Sequence, residues 1–119
     1  MNRQAFDKYI NEAYKVSADY PFESDSETAV YRHKENRKWF ALVMHLPKDK
    51  FKPNAQGFVT AVNLKCDPLL IGSVILEEGI YPAYHMNKSH WISLLIDEIT
   101  AEEKIKWLLD LSFELTKKK

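Results

Sequence analysis

Glycine, cysteine and long apolar runs are scarce in this chain, and each shortage closes off a class of function. Only Gly57, Gly72 and Gly79 occur, at spacings that build no phosphate-cradling loop, so a nucleotide-binding enzyme of that kind is excluded. Cys66 stands alone, which rules out an internal disulfide and any zinc site made from several cysteines. The longest apolar stretches, Trp39 to Met44 and Ile92 to Ile96, fall far short of the roughly 20 residues that cross a bilayer, so no membrane span is expected. No charged-then-apolar leader follows Met1, and a reducing cytoplasm is the expected compartment. Net charge is missing too. The 17 basic residues balance 17 acidic ones, which argues against strong phosphate binding over the whole surface. Neither a nucleophile elbow nor a close carboxylate pair on strand ends is present. Asp97, Glu98, Glu102 and Glu103 fall where a turn and a first helical turn favour acids, and read as structural.

What remains is an ordinary globular composition, 45% apolar and 29% charged, so residues 1–119 are expected to form a single domain. Charge is unevenly spread within it. Residues 31–54 hold seven basic groups (Arg32, Lys34, Arg37, Lys38, Lys48, Lys50, Lys52) against two acidic ones. Such a segment is either a solvated hairpin with a lysine-protected sheet edge or a functional basic face.

Apolar residues at Phe6, Tyr9, Ile10, Ala13, Tyr14 and Val16 recur at three- and four-residue spacing and predict a helix over 3–17. Ala29 to His33 and Arg37 to His45 surround the polar Lys34-Glu35-Asn36 and predict a hairpin. Pro47 to Gly57 reads as a loop, and Phe58 to Cys66 as a third strand. Asp67 then Pro68 supply an N-cap and a first-turn proline for a helix reaching about residue 78, with Gly79 as its stop. Strands over Tyr81 to Met86 and Ser89 to Ile96 follow, and Thr100 with Glu103 offers a capping box for a last helix over 101–115. The order α-β-β-β-α-β-β-α predicts an α+β fold, a five-stranded antiparallel sheet with helices packed on one face. Lys117-Lys118-Lys119 is the only low-complexity stretch.

Residues 84–91, Tyr-His-Met-Asn-Lys-Ser-His-Trp, are ordered as a mirror image. With Asn87 and Lys88 as the central pair of a hairpin turn, His85 faces His90 and Tyr84 faces Trp91. Alternation then puts Tyr81, Ala83, His85, His90, Ile92 and Leu94 on the core face, with Tyr84 and Trp91 as an aromatic pair on the more exposed one. That pair either stabilises the hairpin or stacks on a base or a protein partner. Two opposed histidines lack the third ligand of a tetrahedral metal site, so no metal and no cofactor is expected. Cys66, where strand meets helix, is expected to pack as a small apolar side chain rather than to act as a nucleophile.

Val62-Asn63-Leu64-Lys65-Cys66-Asp67-Pro68, Tyr81 to Trp91 and Asp110 to Leu115, with Lys38-Trp39-Phe40-Ala41 and Tyr20-Pro21, resemble the MmcQ/YjbR family of small bacterial proteins over nearly the whole chain. The resemblance implies a fold similar to the frataxin and type III secretion chaperone groups, with a double-wing DNA-binding motif. The first hairpin tip departs from it, because Lys34-Glu35-Asn36 lacks the glycine common there. The two hairpins are plausible wings: Arg32, His33, Lys34, Arg37 and Lys38 on the first, His85, Asn87, Lys88 and His90 on the second. Arg and Lys would contact phosphates, while Asn87 and a histidine could reach a groove edge. The expected function is a monomeric, non-enzymatic DNA-binding protein. The alternative is a protein-interaction or chaperone-like module using the sheet and the second hairpin, with Tyr84 and Trp91 at its centre. Whether both tips lie on the same side of the domain discriminates between them.

Overall fold

The computed structural model of the protein describes residues 1–117, so Lys118 and Lys119 of the lysine tail lie outside the described residues. Helix α1 spans Arg3–Tyr14, opened by Asn2, whose side chain accepts the Ala5 N–H at 2.8 Å. It stops short of residue 17 because Lys15 turns left-handed, with φ 58°. Strands β1 (Ala29–Arg32), β2 (Trp39–Pro47) and β3 (Phe58–Lys65) follow, then α2 (Pro68–Val74), β4 (Ile80–Pro82), β5 (Trp91–Leu95) and α3 (Glu102–Thr116). The predicted element order and the all-antiparallel sheet are both found. In space the strands run β1-β2-β3-β5-β4. Tyr31, Ala41, Leu64, Ile92 and Pro82 form one row of paired residues across all five. Outside β1, Asp19 makes a one-residue bridge, exchanging two backbone hydrogen bonds with Val30 at 2.9 and 2.7 Å.

Alternation along the strands produces two apolar layers. The larger buries Phe6 and Ile10 of α1, Tyr31, Phe40, Leu64 and Ile92 of the sheet, and Ile105, Leu108 and Leu109 of α3. Val74 brings α2 to the same layer, so all three helices cover this face. On the other face Val30, Leu42, Met44, Val59, Ala61 and Leu95 have no helix above them. Loop and strand-end side chains cover them instead, chiefly Phe51, Tyr84 and Met86.

Three local expectations change. Asp67 caps α2 as expected, accepting the Leu69 N–H at 2.9 Å, but the helix ends at Val74, and a further turn carries the chain to Gly79. There φ is +82°, and a Cβ would lie 2.6 Å from Ile99 Cγ1, so glycine is required on two counts. The Thr100–Glu103 capping box does not form: Ala101 is the N-cap and no side chain bonds to it, which leaves Glu102 and Glu103 to favour the helix N-terminus by charge alone. Strands β4 and β5 are shorter than predicted.

One hydroxyl joins α3 to the centre of the sheet. Fully buried Ser112 accepts the Lys65 N–H at 2.8 Å and donates to the Phe40 carbonyl at 2.6 Å. Ser112→Ala leaves both backbone groups without this partner in a dry interior. It should cost about 1–3 kcal/mol, seen as a lower urea midpoint with an unchanged slope of unfolding.

Candidate functional site

Both hairpin connections leave the sheet beyond the same row of paired residues. The first tip, residues 33–38, joins β1 to β2, and the second, residues 83–90, joins β4 to β5. Since Tyr31 and Pro82 close the two ends of that row, the tips project from one end of the sheet. Three strand spacings of about 4.8 Å put their centres roughly 14 Å apart.

The second tip is not the two-residue hairpin its mirror order suggests. Tyr81 pairs with Ser93 and Pro82 with Ile92, a register one residue away from the expected one, which moves Tyr81 off the core face. Beyond Pro82 side chains take over from the ladder. Tyr84 N–H donates to Ser93 Oγ at 2.9 Å, Asn63 Nδ2 donates to the Tyr84 carbonyl at 2.9 Å, and the Ser93 hydroxyl donates to Asn63 Oδ1. Asn63 and Ser93 are both fully buried. His85 then turns left-handed at φ 58°, and the Asn87 carbonyl accepts the N–H groups of His90 and Trp91 at 3.1 and 2.9 Å. His85 and His90 are therefore exposed loop residues rather than an opposed pair on the core face. Nor do Tyr84 and Trp91 stack. Tyr84 lies against Phe51 and His85, with ring centroids at 5.8 and 4.0 Å, while Trp91 pairs with Lys65 of β3 and has its ammonium 5.9 Å from the ring. Asn87 and Lys88 are exposed, and Asn87 Oδ1 is occupied by the Ser89 N–H at 2.8 Å.

In the first tip Arg37 takes a left-handed conformation, φ 63°, of the kind glycine adopts most readily. The tip is fastened to the end of α3: Asn36 Nδ2 donates to the carbonyls of Thr116 and Lys117 at 3.0 and 3.1 Å. His33 is the second fastening. Only 3% exposed, it packs on Phe40 and Phe113 with Nε2 2.8 Å from Thr116 Oγ1, so it belongs to the core and leaves the set of contact residues. Arg32 pairs with Asp19 at 3.1 Å and lies 5.6 Å from the Trp39 ring centroid. Lys34, Arg37 and Lys38 are exposed.

The basic run over 31–54 thus does not make one face. Lys48 and Lys52 sit past the far end of β2, where both pair with Glu98 at 3.4 and 2.6 Å and hold its carboxyl below the usual range. At the tip end a cleft of about 310 Å³ is lined by Lys15, Ser17, Asp19, Arg32, Lys34 and Arg37. On the helix-free face a wider groove of about 530 Å³ runs along β2 from Trp39 to Leu46, walled by Phe22 on one side and Tyr84 and Met86 on the other. Sequence reasoning missed Lys15, Phe22, Asn63 and Ser93. Asn63 alone carried a signal, as a residue type depleted from strands set in the middle of one.

The YjbR pattern matches residues 11–115. The chain belongs to the YjbR family. The uncharacterised protein YyaQ of Bacillus subtilis is 37% identical over 117 residues, 98% of this chain and 99% of that one. A Pseudomonas syringae protein of known crystal structure is 43% identical, covers 98% of this chain and 99% of its own, and superimposes with a TM-score of 0.94. Protein DR2400 of Deinococcus radiodurans is more distant, at 27% identity over 87% of this chain and 70% of its own, with a TM-score of 0.64. These relatives fix the fold and name no activity. Among the described residues, no helix is long and apolar enough to cross a membrane.

Two titratable groups beside the tips yield tests. Cys66 is 2% exposed, and burial, with Asp67 adding to it, pushes its thiol above the ordinary value. It should resist a neutral-pH alkylating reagent in the native protein and react once urea unfolds the chain. Burial holds the His33 imidazole below its ordinary value. Below about pH 6.5 the unfolded chain therefore binds more protons, and stability present above that pH is lost as the pH falls. His33→Gln, which keeps a polar atom near Thr116, should flatten the fall in urea stability between neutral and mildly acidic pH.

Proposed function

We propose that this YjbR protein is a non-enzymatic DNA-binding domain that holds phosphates on its two tips. The single observation carrying this reading is the strand register, which sends both tips out of one end of the sheet. Their spacing of roughly 14 Å lets the two tips hold separated phosphates, whether along one strand or on either side of a major groove roughly 12 Å wide. Lys34, Arg37 and Lys38 on the first tip and Lys88 on the second are the phosphate contacts, with Lys15 and Arg32 lining the cleft behind. His85, Asn87 and His90 are exposed on the second tip and supply polar contacts. The protein-interaction alternative loses one of its supports, since Tyr84 and Trp91 do not form an exposed pair.

Each phosphate neutralised releases condensed counterions, so the logarithm of affinity should fall against the logarithm of salt concentration by about 0.9 per contact. Arg37→Ala with Lys88→Ala should weaken binding to every sequence and reduce that slope by about two units. His33→Gln should leave the slope unchanged. Anisotropy titrations of labelled DNA over a salt series measure all three, and absence of salt-sensitive binding at low ionic strength would overturn the reading.

A further inference from the structure

The groove on the helix-free face starts at the tip end of the sheet and runs along β2, with the second tip as one wall. Trp39, its floor, follows the first tip directly, while Tyr84 and Met86 belong to the second. Phe22, from the segment between α1 and β1, closes the side, its ring edge-on to Trp39 at 6.2 Å and 89°. Three aromatic rings and two methionines (Met44, Met86) thus line one open groove of about 530 Å³. At its tip end the Arg32 guanidinium, paired with Asp19, lies over Trp39, and the exposed cations Lys34, Arg37 and Lys88 stand beyond it on the tips.

An aromatic groove continuous with phosphate-binding loops is the arrangement that takes unpaired bases, because every base has a flat face to stack and a charged backbone to hold. Bases in a duplex are already stacked and cannot enter. We propose that the groove is a stacking site for unpaired nucleobases, so that the preferred ligand is single-stranded nucleic acid with its backbone on the tips and its bases against Phe22, Trp39 and Tyr84. This rests on the phosphate-binding reading above. Asp25 supports the orientation. It lies at the far end of the groove, beside Thr28, and its carboxylate is held in the charged form by the Thr28 hydroxyl and the Glu27 and Thr28 N–H groups. A negative charge there repels phosphates toward the tips and can accept a hydrogen bond from a base amino group.

The test compares three labelled probes at low salt: an oligodeoxycytidylate, an abasic deoxyribose phosphate of the same length, and a duplex. Stacking of a single base predicts that the oligodeoxycytidylate binds about ten-fold tighter than the abasic strand, and tighter than the duplex. Phe22→Ala alters a residue 38% exposed on a loop, so the fold should survive, as a circular dichroism melt checks. It should remove most of that difference while leaving abasic binding unchanged. Trp39→Leu, read the same way, provides a second variant. Equal affinities for the abasic strand and the oligodeoxycytidylate, unaltered by either variant, would overturn the stacking site and leave the phosphate reading standing. No binding of any probe would overturn both. If the protein instead self-associates and Phe22→Ala disperses it, a second copy of the chain fills the groove and the proposal is overturned.

Discussion

All three helices pack on the same face of a five-stranded sheet, and most of the molecule's surface follows from that imbalance. A sheet of alternating strands has two faces to keep dry, yet the second apolar layer, from Val30 to Leu95, receives no helix. Its cover comes from single side chains on connecting segments: Phe51 from the loop between β2 and β3, and Tyr84 and Met86 from the loop between β4 and β5. Each such side chain stabilises by about 1.5–3 kcal/mol when fully buried, less here because these are only partly so. The loops are therefore pinned by the face they cover, and where their cover is incomplete a groove remains.

Polar groups inside the sheet decide where those loops go. Asn63 and Ser93 sit on adjacent strands, face the helix-free side and bond to the two backbone groups of Tyr84. In a low-dielectric interior such bonds are strong when made and costly when broken, so they fix position as well as stability. Among the described residues no buried side-chain nitrogen or oxygen lacks a partner. Ser112 plays the same part on the helical side, and His33 with Asn36 repeats it at the first tip, where side chains from a turn reach the last turn of α3.

Periodicity made the elements legible, since α1, the first three strands, the Asp67 cap and the buried Cys66 all obey local rules that act within a few residues. Long-range choices were not legible. The mirror order of Tyr84 to Trp91 fits a tight hairpin, but pairing with β3 sets Trp91 opposite Lys65, and Ser93 satisfies Tyr84 N–H by a side chain instead of a ladder bond. A one-residue change in register follows, and in a strand that reverses every side chain. His33 reads as part of a basic tip because its neighbours Arg32 and Lys34 are basic. Its burial depends on Phe113 and Thr116, which lie some eighty positions away in sequence. The groove was equally hidden, being assembled from segments near Phe22, Trp39 and Tyr84 that no local pattern connects.

The bridge between Asp19 and Val30 has a consequence for how copies of this protein meet. An outermost strand offers unpaired N–H and C=O groups to any other strand, which is how sheets join edge to edge and aggregate. Along β1 the central pair of such groups, those of Val30, is already taken by Asp19. At the opposite edge β4 is three residues long and ends in Pro82, which has no N–H to give. Both features disfavour a long added strand. Each margin is thereby a poor template for edge-to-edge pairing, a protection that a barrel reaches by closing instead.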